Sequence, residues 1–259
     1  MMYENIIVKK EGQLAYIYIN LPEVRNRLSK ETLSEIRDAL VEIKHDGVTQ
    51  LVVFTGEGDK AFAAGADIIQ LNEKEMLDVF ATGSMQEIYD EIEAYDMPTI
   101  AMINGLALGG GCELALACDI RVMADHAKIG LPELNLSIIP GAGGTQRLSR
   151  IVGKGKALEM ILLGKFLSAE EAMTHGLVTE VVPLQFLKDK VDEIAEQILA
   201  KGPLAVKLAK MAVQYGAETD QKTGQIIEKL AQAVLFATAD KKEGTKAFME
   251  KRKPVFTSK

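Results

Sequence analysis

The stretch Met97–Cys118, MPTIAMINGLALGGGCELALAC, carries a single charge, the carboxylate of Glu113. Its first half, Thr99–Ile103, has the β-branched and apolar content of a buried strand. Its second half, Gly110–Cys118, reads as a buried helix that begins at three successive glycines. An isolated carboxylate among apolar neighbours costs on the order of several kcal/mol to bury. Such a group is retained when it is protonated, well hydrogen-bonded or chemically used. The Gly109-Gly110-Gly111 run lets backbone N–H groups approach a ligand at the positive end of the helix. The combination suggests an anion-stabilising pocket with an acid or base beside it; the plainer alternative is a helix whose one polar residue meets a partner. The stretch is long enough to raise the question of a membrane span. Pro98, Asn104, four glycines and Glu113 within it indicate a strand, a turn and a helix of a soluble protein instead.

Working outward, strands are expected at Leu14–Asn20, Gln50–Thr55 and Ile120–Ala124. A helix capped by Ser29 places Leu33, Ile36, Leu40 and Ile43 on one face. A second helix is expected from about Lys74 to Tyr95. Gly47 sits where a helix ends, and Pro203 where one begins. Strands alternating with helices indicate an α/β protein. From about Ser168 the pattern becomes mostly helical, with Ile227, Leu230 and Val234 spaced along an amphipathic helix. The expected division is a core over 1–195 carrying the site and a helical layer over 196–259.

Composition narrows the function. The chain has 259 residues, a formal net charge of −7 and a pI near 5.2, which opposes general nucleic-acid binding. The basic clusters Lys241-Lys242 and Lys251-Arg252-Lys253 are short. The two cysteines, Cys112 and Cys118, both fall in the apolar stretch and read as reduced thiols. The N-terminus is charged too early for a signal peptide. The expected compartment is the cytoplasm, or the mitochondrial matrix in a eukaryote, although no transit peptide is seen. His45, His126 and His175 are isolated, and no metal-ligand spacing occurs. No GxSxG elbow is present, and the glycine runs at 105–111 and 141–144 fit neither the dinucleotide nor the phosphate-loop pattern.

Carboxylates and backbone amides remain. Ala63-Ala64-Gly65-Ala66-Asp67 follows one core strand, and Gly109–Gly111 precedes the buried helix. Two N–H groups from separate loops can hold a developing oxyanion. Taken alone, the first loop is also compatible with a tight turn that needs small residues. Glu133, flanked by apolar residues in Leu-Pro-Glu-Leu, is either a second inward carboxylate or a solvent-facing loop glutamate. A pair of glutamates in unequal environments suits acid–base work.

The segments KAFAAGADI, INGLALGGGCELALACDIRV, GLPELNLSIIPGAGGTQRL and EGTKAFMEKRKPVF resemble the crotonase superfamily, specifically its enoyl-CoA hydratases, from about Ile6 to Phe256. The resemblance implies a spiral of ββα units with a helical C-terminal layer, assembly as trimers or hexamers, and an acyl-CoA substrate with no other cofactor. It implies reversible syn hydration of trans-2-enoyl-CoA to 3-hydroxyacyl-CoA, as in β-oxidation of fatty acids or branched-chain acyl-CoA degradation. Glu113 and Glu133 match the catalytic glutamates, and Ala66 and Gly110 the oxyanion-hole amides. Ala64, Asp67 and Ile68 match the CoA-binding loop, and Lys251 a basic position that reaches CoA phosphate. Arg27 stands in Asn-Arg-Leu-Ser, a departure from the more usual Asn-Ala-Leu, and is expected either to line the CoA cleft through its backbone or to meet a phosphate. The segment Thr223–Glu228 resembles methylglutaconyl-CoA hydratases. Double-bond isomerisation, and acyl-CoA or RNA binding without catalysis, are the other readings that the resemblance leaves open.

Overall fold

The computed structural model describes residues 3–257. The strands are β1 (Ile6–Glu11), β2 (Leu14–Ile19), β3 (Leu51–Gly56), β4 (Ala61–Ala63), β5 (Thr99–Ile103), β6 (Leu106–Leu108), β7 (Ile120–Ala124), β8 (Lys128–Gly130), β9 (Phe166–Ser168) and β10 (Glu180–Val182). The helices are α1 (Lys30–His45), α2 (Ile68–Glu73), α3 (Met85–Glu93), α4 (Gly110–Ala117), α5 (Gly144–Leu163), α6 (Ala169–Thr174), α7 (Leu187–Leu199), α8 (Pro203–Ala217), α9 (Gln221–Phe236) and α10 (Ala239–Met249). Contacts divide the chain into two compact units. One runs to Tyr95 and resumes over Thr99–Asp192; the other joins Asp96–Pro98 to the chain from Glu193 onward.

The first unit is a spiral of ββα character. One sheet has the order β1-β2-β3-β5-β7-β10, and a smaller one the order β4-β6-β8-β9. The chain alternates between them. Each long strand β3, β5 and β7 is followed by a short one, β4, β6 or β8, and both series pair in parallel and in the same order. β3 and β5 are buried along their whole lengths, as parallel strands covered on both faces must be. Two buried asparagines fasten the crossovers. Asn104 donates to Gly56 O and Gly58 O, and Asn26 to Glu57 O and Ala61 O. A Cβ at Gly56 would lie 2.2 Å from Ala61 O, so only glycine fits where β3 turns toward β4. In the second unit, α8 and α9 pack through Gly216 and Gly224, and Asp220 and Thr238 cap α9 and α10.

The strands fall where the sequence places them, and Ser29 caps α1 by accepting from Thr32 N. The helix expected over Lys74–Tyr95 is a correction. That segment ends α2, makes a short 3-10 turn over Met76–Phe80, passes through Gly83 at φ +74 and restarts at the Ser84 cap of α3. Met76, Leu77, Val79 and Phe80 are all exposed. With no core beneath them, their periodicity has nothing to hold a continuous helix together. Among the described residues, no helix is long and apolar enough to cross a membrane.

Candidate active site

α4 is the element on which the site is built, and its seat explains the glycines. A Cβ at Gly111 would lie 1.9 Å from Ala63 O, so the helix rests directly on the end of β4. Gly109, at φ 54, turns the chain from β6 into the helix, and its N–H donates to Gly130 O of β8. This close approach brings the start of α4 against the loop that leaves β4. In that loop Gly65 is at φ +104, and Ala66 N lies 3.7 Å from the place a Cβ on Gly110 would take. Among the described residues, neither the Ala66 nor the Gly110 amide donates to a partner within the protein. At the first position of a helix the N–H has no intrahelical acceptor, so Gly110 N–H is open to a ligand.

Glu113 is 2% exposed and lies one turn into α4. Its Oε1 accepts from Ala142 N at 2.7 Å and from Gly144 N at 2.8 Å. Among the described residues Oε2 has no protein partner. Burial pushes its carboxyl above the usual range, while the two amides and the nearby charge of Arg147 pull the other way. Glu133 begins the 3-10 turn Glu133–Leu136 after β8, and both its carboxylate oxygens are buried without a hydrogen-bond partner. Oε1 lies 3.3 Å from the position of a Cβ on Gly109. Its carboxyl is pushed up to about 7, mainly by burial, with the charge of Glu113 adding to the effect. The two glutamates therefore share one site in unequal surroundings: one is held by amides and the other is bare. That is the arrangement in which one carboxyl can act as base while the other keeps a proton.

The other residues singled out from the sequence divide by place. Ala64 donates its N–H to Arg25 O, and Asp67 caps α2 by accepting from Ile69 N. Ile68, the first residue of α2, is 60% exposed. Arg27 Nη1 pairs with Asp67 Oδ2 at 3.1 Å, and its Nε is buried without a partner. Arg27 is thus tied to the very loop in which Ala64, Ala66 and Asp67 stand. Arg25 and Asn26 before it both adopt left-handed backbone, and the buried Asn26 side chain holds that bend. Lys251 belongs to the other compact unit, where it is exposed and at φ 53.

Sequence reasoning missed three parts of the site. Ala142 and Gly144 supply the amides to Glu113, whereas in the sequence their run carried the family resemblance and fitted no phosphate loop, with no role for its amides. Arg147, buried behind that turn, had no role assigned to it within the segment PGAGGTQRL. No signal in the sequence marks it: that a Cβ on the left-handed Gly143 would strike Arg147 Nη1 at 2.1 Å is visible only in the fold. Among the described residues, no group of three or more His, Cys, Asp or Glu is placed to hold a metal ion.

Residues 9–259 match a family model described as enoyl-CoA hydratase/isomerase. The chain is 47% identical to crotonyl-CoA hydratase of Syntrophomonas wolfei, covering 100% of both chains. It is 41% identical to short-chain-enoyl-CoA hydratase of Clostridium acetobutylicum, over 98% of this chain and 97% of that one. A crystal structure of enoyl-CoA hydratase from Bacillus anthracis superposes with a TM-score of 0.95 at 43% identity, covering 99% of this chain and 100% of that one.

Proposed function

The chain belongs to the enoyl-CoA hydratase/isomerase family and is an enzyme of the hydro-lyase type, and from that premise we propose how its site adds water to a short trans-2-enoyl-CoA. The observation that carries the proposal is the glutamate pair beside two open amides. Ala66 and Gly110 N–H groups polarise the thioester carbonyl and hold the enolate that forms. Glu113, anchored through Oε1, uses Oε2 to orient water and take its proton as the oxygen attacks the β-carbon. Glu133, whose raised pKa keeps a proton available near neutral pH, delivers it to the α-carbon on the same face. The pair titrates as a coupled unit. The acyl-CoA is the substrate, and its thioester is the handle that the amides grip; neither metal nor redox chemistry is required by these steps.

The loop of Ala64, Asp67 and Ile68, braced by Arg27, is proposed to receive the CoA moiety. Lys251 is proposed to meet a CoA phosphate, from its own or a neighbouring subunit of a trimer or hexamer. Preference for a short acyl chain is supported by the names of the relatives that match over the full chain. The test is loss of the enoyl-thioester absorbance on adding crotonyl-CoA, with long-chain enoyl- and methylglutaconyl-CoA compared at equal concentration. Rapid loss with crotonyl-CoA is expected. Absence of hydration on all three, with the acyl-CoA still bound, would replace the enzyme by a binding protein. Faster turnover of either of the other two would reassign the substrate.

A further inference from the structure

Glu113 does not hold its amide partners unaided. Ala142, whose N–H donates to Glu113 Oε1, accepts through its own carbonyl from Arg147 Nη1 at 2.9 Å. The guanidinium lies over Gly143, where a side chain would collide with it. Its other face is fixed by α3: Nε and Nη2 donate to Glu93 Oε2 at 2.9 and 2.7 Å, and Nη2 to Asp90 Oδ1 at 2.5 Å. The Arg147 side chain is only 8% exposed, whereas those of Asp90 and Glu93 are 58% and 41% exposed. The same helix also grips the start of α4, because Tyr89 Oη donates to Gly110 O at 2.8 Å. One helix therefore references both the carboxylate's turn and the proposed oxyanion amide.

A buried arginine of this kind is weak evidence for stability, since desolvation offsets much of its Coulombic gain. Its planar fork does define direction, and a satisfied network selects one geometry. We propose that Arg147 is a positioning residue for the hydration step: braced by Asp90 and Glu93, it fixes the Ala142–Gly144 turn so that both amides stay on Glu113 Oε1 and Oε2 stays aimed at water. The inference rests on Glu113 being the group that activates water.

The test is a double-mutant cycle on the full-length enzyme with crotonyl-CoA, combining Arg147→Met with Glu113→Gln. Binding of 3-hydroxybutyryl-CoA counts the competent sites in each variant. Arg147→Met should lower kcat per competent site about ten- to hundredfold, the scale of a misplaced catalytic group, and leave KM within about threefold. Arg147→Lys should recover part of the loss, keeping the charge but not the fork. In the Glu113→Gln background, Arg147→Met should change the residual kcat by less than about twofold, because the geometry it protects no longer matters. Equal losses in both backgrounds, or an unchanged kcat, would overturn the proposal. Should Arg147→Met fail to fold, Asp90→Asn with Glu93→Gln releases the brace while keeping Arg147. A kcat loss of about three- to tenfold is then expected, again absent beside Glu113→Gln, and an unchanged kcat overturns the proposal. A Glu113→Gln enzyme with wild-type turnover would remove the base assignment and this inference together. A crippled Glu113→Gln beside unaffected Arg147 variants would remove this inference alone.

Discussion

At the scale of single residues, the site is defined by an unequal treatment of two like groups. Glu113 carries two backbone hydrogen bonds; Glu133 carries none and is pushed up to about 7. A carboxyl whose folded pKa is raised favours the folded state only while protonated. That contribution is fully present below the ordinary glutamate value of 4.5 and is lost as pH rises through about 7. Above that, folding must bury an unpartnered charge. Glu133→Gln should therefore melt higher than the wild type at pH 8, with the difference shrinking at pH 5; a pH-independent difference would contradict the unpaired carboxylate. Activity falls over the same range. Hydration kcat/KM should decline as pH rises through about 7, where the Glu133 proton is lost, and also on the acid side as Glu113 becomes protonated. Stability and activity part only under substitution, since Glu133→Gln removes a costly buried group together with the proton it supplies. Both glutamates were legible in the sequence, one as the lone charge of an apolar stretch. Their unequal surroundings were not, because these depend on amides that arrive from Ala142 and Gly144 and on packing that leaves Glu133 without partners.

At the scale of elements, the fold was readable because glycine marks its close approaches. The run before α4 exists because Gly111 sits against Ala63 O and Gly109 must turn. Gly111→Ala should lower the melting temperature sharply and reduce turnover with it, since backbone of β4 has no room to yield; near-wild-type stability would refute the tight seat. Gly110→Pro is a milder change. Proline is accepted at a first helical position, and the nearest obstacle is the mobile end of Met85. A folded protein with turnover reduced roughly a hundredfold or more is expected if this amide holds the oxyanion, and unchanged turnover in the folded variant would exclude it. What the sequence concealed was the break between α2 and α3. Met76, Leu77, Val79 and Phe80 keep an apolar pattern without a core to face, and periodicity alone does not distinguish an apolar residue that packs from one left exposed. Arg147 was hidden for a related reason: its partners lie on α3, more than fifty residues away in sequence.

At the scale of the whole molecule, each unit leaves apolar residues outside. In the first, Leu158, Leu162 and Leu163 of α5 are exposed; in the second, Ile226, Leu230 and Val234 of α9 follow one another at helical spacing and are exposed too. Such stripes are what subunit contacts would cover. Light scattering should therefore give a mass that is a multiple of 28.2 kDa, and a stable monomer would contradict the assembly proposed here. Substituting Lys251→Glu should raise KM for CoA thioesters with little change in kcat, as expected for a remote group that binds substrate and transition state alike. An unaltered KM would exclude it from the site. The central claim is that the two carboxylates act together in one hydration step, Glu113 on the water and Glu133 on the α-carbon. The most direct measurement is crotonyl-CoA turnover by Glu113→Gln, Glu133→Gln and their double variant, with binding of 3-hydroxybutyryl-CoA as the control. Each single variant should fall by about two to four powers of ten while still binding, and the double variant should fall by less than the product of the two. Retention of more than half the wild-type turnover by either single variant would contradict the account.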